Sequence, residues 1–323
     1  MSRPRTMFWN VLTCAALVAA VAMMAGAVHA EALLVGNGHS ELQDPQKAGA
    51  EAAARAKASL GTEAAKVVLV FDSVGKGIPG KEQMLAGVAS VFDASIVYGC
   101  SAYAPITQDS NTGTVGVLAL GGDIQAIPAM ADLEGGHEAC GQKIGEALKK
   151  AGIPEKSGKV ALLFGACHVP ANDKLVSGVR SVLGEKFPVA GGAAKGDLLY
   201  YQGKVFPDHN LGLLLAGNFK CGFAAKNAPG DQKDRVIAVA GEAAAQALGG
   251  AKDAAALVLA FDCGGRRGQM GGAVDQELAL IKGAIGKAPL FGFYGSGETG
   301  PKDNDSPARG VGFHIIICAI LAP

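Results

Sequence analysis

The sequence predicts an α/β protein made of about three repeated helix-strand-helix-strand-loop-strand units, whose strands form mixed sheets with parallel βαβ pairs. Three observations predict it. Short continuous apolar runs end at Phe71, Phe164 and Phe261, 93 and 97 residues apart. Each run is followed by a stretch with apolar residues at helical spacing and then by a second apolar run. Each second run leads into a box that begins with Gly: Gly99-Cys100-Ser101-Ala102-Tyr103-Ala104-Pro105-Ile106, Gly191-Gly192-Ala193-Ala194-Lys195-Gly196-Asp197-Leu198, and Gly292-Phe293-Tyr294-Gly295-Ser296-Gly297-Glu298-Thr299. Agreement of period and order marks an internal repeat, and a helix joining parallel strands crosses over right-handed.

Asp44 to Leu60, rich in Ala with Lys and Glu interspersed, reads as an exposed helix. Lys66 to Asp72 is a run short and apolar enough for a strand buried on both faces. Met84, Leu85, Val88, Val91 and Phe92 share one face of a helix, Ser95 to Tyr98 is the second strand, and Thr114 to Leu120 the third. In the second pass Gln142 to Ala151 is a helix and Val160 to Phe164 the buried strand. Leu175, Val176, Val179, Val182 and Leu183 mark the next helix, Pro188 to Ala190 enters the second box, and Leu211 to Ala216 is the outer strand. In the third, Ile237, Ala240, Ala244 and Leu248 mark a helix and Ala256 to Phe261 the buried strand. Met270, Val274, Leu278, Ile281 and Ile285 then step along one helix face, Pro289 to Phe291 enters the third box, and Val311 to Leu321 closes the chain.

At the N-terminus, Arg3 and Arg5 precede the apolar run Val11 to Gly26 and the small residues Ala27-Val28-His29-Ala30, the pattern of an export signal. Residues 1–30 are therefore read as a signal peptide, 31–63 as an N-terminal helical lead-in, 64–250 as repeats one and two, and 251–323 as repeat three. The mature chain is expected in the periplasm or outside the cell, with no membrane span, since no later apolar stretch is long enough.

Without Arg3 and Arg5 the charge balance is 27 basic against 29 acidic residues, and no Lys/Arg cluster gives a footprint for nucleic acid. Trp9 departs with the signal, which argues against a sugar-stacking platform. Six cysteines remain, Cys100, Cys140, Cys167, Cys221, Cys263 and Cys318. They allow 15 complete pairings, among which sequence does not choose. No Cys-x-x-Cys occurs, and no metal site is expected.

Ligands of α/β sheets gather beyond the carboxyl ends of parallel strands, where all three boxes lie. If the units share a centre, Cys100, Ser101, Asp197, Cys263, Arg266, Tyr294 and Glu298 would line one pocket. Arg266 suits a ligand carboxylate, and Asp197 and Glu298 suit an amine or hydroxyls. Gly295-Ser296-Gly297-Glu298-Thr299-Gly300 matches G-x-G-x-x-G, but Pro301 to Pro307 comes next, where a nucleotide motif needs a helix. Cys100 or Cys263 beside His168 would suit a cysteine hydrolase, yet nothing in the sequence requires a reaction.

On Tyr98-Gly99-Cys100-Ser101, Ala190 to Ala194 with Gly196-Asp197, Phe261-Asp262-Cys263-Gly264-Gly265-Arg266, and Pro289 to Tyr294 with Gly297-Glu298, the chain resembles the FIST family from about residue 64 to the end. The resemblance implies a bacterial sensory module with an N-terminal part, here 64–250, and a C-terminal part, here 251–323. It implies binding of a small molecule, with amino acids the proposed class, and a signalling partner protein, since no output module is recognised in the chain. Some relatives are haem proteins, so a haem or redox-linked sensor is the other reading beside the hydrolase; no cofactor is otherwise expected. The chain departs from the family at Ala104-Pro105, where Gly-Glu is usual, and at Ala308-Arg309-Gly310, where a His-Asn pair is usual.

Overall fold

Each buried run becomes a strand paired parallel with the run that comes after its helix. The computed structural model describes residues 32–323; the export signal expected at 1–30 lies outside them. The first unit comprises β1 (Leu33–Ser40), α1 (Pro45–Leu60), β2 (Val67–Asp72), α2 (Gly77–Ala89), β3 (Val97–Ser101), β4 (Ala104–Thr107) and β5 (Val115–Gly122). The second comprises β6 (Gln125–Asp132), α3 (Gly136–Ala151), β7 (Gly158–Gly165), α4 (Ala171–Leu183), β8 (Val189–Ala193), the hairpin β9 (Leu198–Tyr201) and β10 (Lys204–Pro207), and β11 (His209–Gly217). The third comprises β12 (Lys220–Lys226), α5 (Lys233–Leu248), β13 (Ala255–Cys263), α6 (Gly264–Met270), α7 (Val274–Ile285), β14 (Leu290–Gly295), β15 (Glu298–Gly300), β16 (Arg309–Val311) and β17 (Ile315–Leu321).

The three sheets run β1-β5-β2-β3-β9-β10, β6-β11-β7-β8-β15-β16 and β12-β17-β13-β14-β4. Their first four strands correspond one to one. The remaining strands of each sheet come from another unit: β9 and β10 of the second complete the first sheet, β15 and β16 of the third complete the second, and β4 of the first completes the third. The pairs β2/β3, β7/β8 and β13/β14 are parallel. The α/β class, with parallel pairs inside mixed sheets, is therefore the observed one.

Alternation explains why the buried strands read as unbroken apolar runs. Val67, Leu69 and Phe71 enter a central core with Val160, Leu162, Phe164, Leu257, Leu259 and Phe261. Val68 and Val70 face the helices of the first unit, Ala161 and Leu163 those of the second, and Val258 and Ala260 those of the third. Successive side chains point to opposite faces, so a strand covered on both needs apolar residues throughout. At the centre Phe71 packs 5.4 Å from Phe164 and 4.4 Å from Phe293, and Phe164 lies 6.4 Å from Phe261. The matched phenylalanines thus mark the place where the three sheets meet.

Three details differ from the sequence reading. A leading strand, β1, β6 or β12, precedes the first helix of every unit, so 31–63 is not helical throughout; the helix itself starts at Pro45, where Asp44 accepts the Lys47 N–H at 2.9 Å. The helix expected through Met270 and Val274 is two helices, broken where Gly271 takes a left-handed φ of 56°. The first glycine of each box lies inside a strand and not in a loop: Gly99, Gly191 and Gly292 stand opposite Val70, Leu163 and Ala260. A Cβ there would come within 1.9, 2.0 and 1.7 Å of those partners' carbonyl oxygens, so glycine is required by close approach. Among the described residues no helix is long and apolar enough to cross a membrane.

Candidate functional site

The three boxes meet. The Tyr103 N–H of the first donates to the Tyr294 carbonyl of the third at 2.8 Å, and Ala193 N–H of the second donates to Gly297 O, also at 2.8 Å. Ser101 Oγ of the first bonds to the carbonyl oxygens of Lys195 and, at 3.3 Å, Leu198 of the second. These contacts arise from the fold, because each box joins a strand of its own unit to one that enters another sheet. Around the junction lies a cavity of about 590 Å³, within the range of small-molecule sites. Tyr103, His168, Cys263, Ser296 and Phe313 supply its side chains, with glycine backbone at Gly265, Gly295 and Gly312. Tyr103 and Val169 are exposed at its margin, and Lys195 Nζ lies 5.0 Å from the Tyr103 ring centroid.

Of the seven sequence candidates, Cys263 lines the cavity and Glu298 lies directly behind it. Cys263 Sγ accepts the Gly265 N–H at 3.3 Å. Burial, reinforced by the Glu298 carboxyl, pushes the thiol up to about 11. Glu298 is fully buried; its Oε2 accepts the His314 N–H at 2.9 Å, and the Cys263 side chain also hydrogen-bonds to the carboxyl. Burial holds this carboxyl well above the usual carboxylate range, although the His314 N–H works in the opposite direction.

Arg266 and Tyr294 belong to a network one layer deeper. Arg266 Nε lies 2.7 Å from Asp262 Oδ1 and Nη2 lies 2.6 Å from Glu277 Oε1, while Tyr294 OH donates to Glu277 Oε2 at 2.7 Å. Asn111, from the first unit, donates to Tyr294 OH at 3.0 Å and to Val274 O at 2.6 Å. Burial would lower the guanidinium's pKa, but Asp262 and Glu277 outweigh it and hold it above the ordinary value. Burial also raises Glu277. Two nitrogens of the Arg266 fork are thus filled by the protein's own carboxylates, and Nη1 is left without a partner.

Cys100, Ser101 and Asp197 are not part of the lining. Cys100 is fully buried in β3, its thiol raised by burial and then by Asp72. Asp72 itself receives Lys81 Nζ at 2.6 Å and the Tyr200 hydroxyl. Ser101 ties the first box to the second. Asp197 is exposed in left-handed backbone, φ 59°, and interacts electrostatically with His168. Tyr103, Ser296 and Phe313 are absent from the sequence candidates. The first two stand inside the quoted boxes, but no sequence signal marks Phe313, which takes a left-handed φ of 59° between β16 and β17.

Among the described residues no three His, Cys, Asp or Glu side chains are grouped to hold a metal. A haem entering this cavity would find one imidazole, His168, and the Cys263 thiol as its candidate ligands.

Comparison with known proteins identifies the family. Residues 66–242 match the FIST N domain and residues 209–301 the FIST C domain. Uncharacterized proteins of Mycobacterium bovis and Mycobacterium tuberculosis are each 39% identical to this chain over 79 residues, 24% of the chain. The matched part is 19% of the length of those relatives. Among solved structures, the chain is similar to a cyanuric acid hydrolase from A. caulinodans, with TM-score 0.35 and 13% identity over 59% of this chain and 72% of that one. A second cyanuric acid hydrolase structure gives TM-score 0.49 and 11% identity over 90% of this chain and all of the other. The family match covers more than half of the sequence: the chain belongs to the FIST family of sensory domains, to which small-ligand binding is ascribed.

Proposed function

We propose that this is an exported sensory protein that binds a small polar, amino-acid-like ligand where its three boxes meet and hands the signal to a partner protein. The observation that carries the reading is the convergence itself: loops from three units, hydrogen-bonded to one another, surround an open cavity whose wall includes a thiol, an imidazole and two aromatic rings. A site assembled from distant parts of the chain is sensitive to occupancy in all of them, which suits a sensor. Export rests on the N-terminal sequence pattern, and the amino-acid class on family membership.

A panel of the twenty amino acids tests this by thermal shift, since a ligand that binds only the folded state raises Tm by mass action. At 100 times Kd the stabilisation is about 2.7 kcal/mol. No shift with any of them at millimolar concentration would count against the amino-acid class. Export is tested by the N-terminal sequence of the protein recovered from periplasm, expected to start at Glu31. A cysteine-hydrolase reading would use Cys263 and His168, which share the lining. Against it stands the thiol, which at about 11 is protonated near neutrality.

A further inference from the structure

Six cysteines fall within the described residues, and four of them have other company. Cys263 faces the cavity, and Cys140 is bonded to Asn210 Nδ2 at 3.1 Å and to Ala131 O at 3.4 Å. Cys100 is buried near Asp72, and Cys167 interacts electrostatically with Asp197. Cys221 and Cys318 are different, because they hold each other.

The two stand on neighbouring antiparallel strands. Cys221 on β12 lies opposite Ile320, and Cys318 on β17 lies opposite Phe223, an offset of two residues that puts both side chains on one face. That face is the central core, in which Cys318 is fully buried and against which Cys221 packs half-buried. Cys221 Sγ donates to Lys159 O of β7 at 3.7 Å, and the Cys318 side chain hydrogen-bonds to Cys221. The thiols are thus already in contact, one reachable from solvent and one behind it. Residues offset by two lie farther apart than directly opposed ones, so joining the sulfurs draws β12 toward β17. As the edge strand, paired in its sheet with β17 alone, β12 can make that adjustment.

We propose that Cys221 and Cys318 are a redox-active pair, which a disulfide oxidant of the glutathione type converts into a reversible Cys221–Cys318 disulfide. Cys221, the half-exposed member, attacks the oxidant R–S–S–R: a bond forms between its sulfur and one R–S group, the oxidant's S–S bond breaks, and the Cys221 proton leaves on R–SH. Cys318 then attacks the Cys221 sulfur, a second R–SH departs with the Cys318 proton, and the new bond joins β12 to β17. The protein loses two electrons and two protons, and the oxidant gains both. Since residues 221 and 318 lie on the first and last strands of the third unit, the bond closes a loop around that whole unit. The export reading above supplies the setting, because the periplasm is oxidising.

The full chain, purified reduced, is incubated with oxidised glutathione, blocked with N-ethylmaleimide in urea, and digested with trypsin for mass spectrometry. Trypsin releases Cys221 in residues 221–226 and Cys318 in residues 310–323. The expected product is these two peptides joined, lighter than their sum by two hydrogens, and millimolar reduced glutathione should separate them. Cys318→Ser should stop at a glutathione adduct on Cys221, and Cys221→Ser should leave Cys318 unmodified. The unmodified protein decides the matter even if either variant fails to fold. A lasting glutathione adduct on its Cys221, a link between other cysteines in place of this one, or no reaction overturns the pair. A link that reduced glutathione does not open overturns its reversibility. These outcomes are separate from the amino-acid panel and from the N-terminal sequence of periplasmic protein, so neither the ligand reading nor export falls with them.

Discussion

Arg266 Nη2 lies 2.6 Å from Glu277 Oε1, and both side chains are fully buried. The guanidinium is therefore a structural tie between the start of α6 and α7 before it can be anything for a ligand. Arg266→Ala would leave Asp262 and Glu277 buried without their cation. It is expected to cost about 3–5 kcal/mol of stability, as removal of one member of a buried pair does. Urea denaturation measures this; a loss under about 1 kcal/mol, the value of a surface pair, would contradict it.

Glu298 also sets a pH dependence of folding. Its pKa is raised in the folded protein above the ordinary 4.5, so the folded state holds the proton more tightly than the unfolded one. The associated stability is fully present below the unfolded pKa and is lost as pH rises through the folded one, by about 1.4 kcal/mol per unit between the two. Glu298→Gln carries no such proton. As pH rises above the ordinary carboxyl range the variant should gain stability relative to the unmodified protein, and parallel stability curves would refute the assignment.

Close packing at the parallel pairs makes a third expectation. Gly191→Ala would place a methyl group 2.0 Å from Leu163 O in backbone of φ 149°, and should destabilise by about 1–3 kcal/mol or more. Gly283→Ala in α7 is the contrast: nothing lies within 4 Å of its Cβ, and a helix interior favours alanine. That change should stabilise by up to about 1 kcal/mol. Melting of the two variants side by side reads both signs.

Cys263 should be the thiol that reports on the cavity. With its pKa pushed up to about 11, alkylation by iodoacetamide should be slow at about pH 7.5 and rise about tenfold per pH unit to about pH 9.5, since only the thiolate reacts. Peptide mapping by mass spectrometry tracks the modified residue. A rate that levels off by about pH 8.5 would mean an ordinary, solvated thiol.

The parts of the fold that sequence reveals are those with strong physical constraints. Val67 to Phe71 must be apolar at every position because both faces of β2 are covered, and the same is true of Val160 to Phe164 and Leu257 to Phe261. The leading strands are not legible: β1, β6 and β12 are half-buried and carry Gly, Asn, Gln and Lys, so neither alternation nor an apolar run marks them. At the site, Cys263 and Glu298 can be named because they come after strand ends within or beside glycine-rich boxes. Phe313 cannot, since its place in the wall depends on a left-handed turn for which phenylalanine gives no warning. Arg266 reads as a free fork in the sequence because Glu277, its second partner, sits on the next helix and no local pattern joins the two.

The way β4, β9 and β15 leave their own units has a consequence for any shortened form of this protein. A single third, expressed alone, would project one strand it cannot use and present one sheet edge it cannot cover. Three identical copies could satisfy one another by closing into a ring, each capping the next. The present chain has the geometry of such a ring with its members joined end to end.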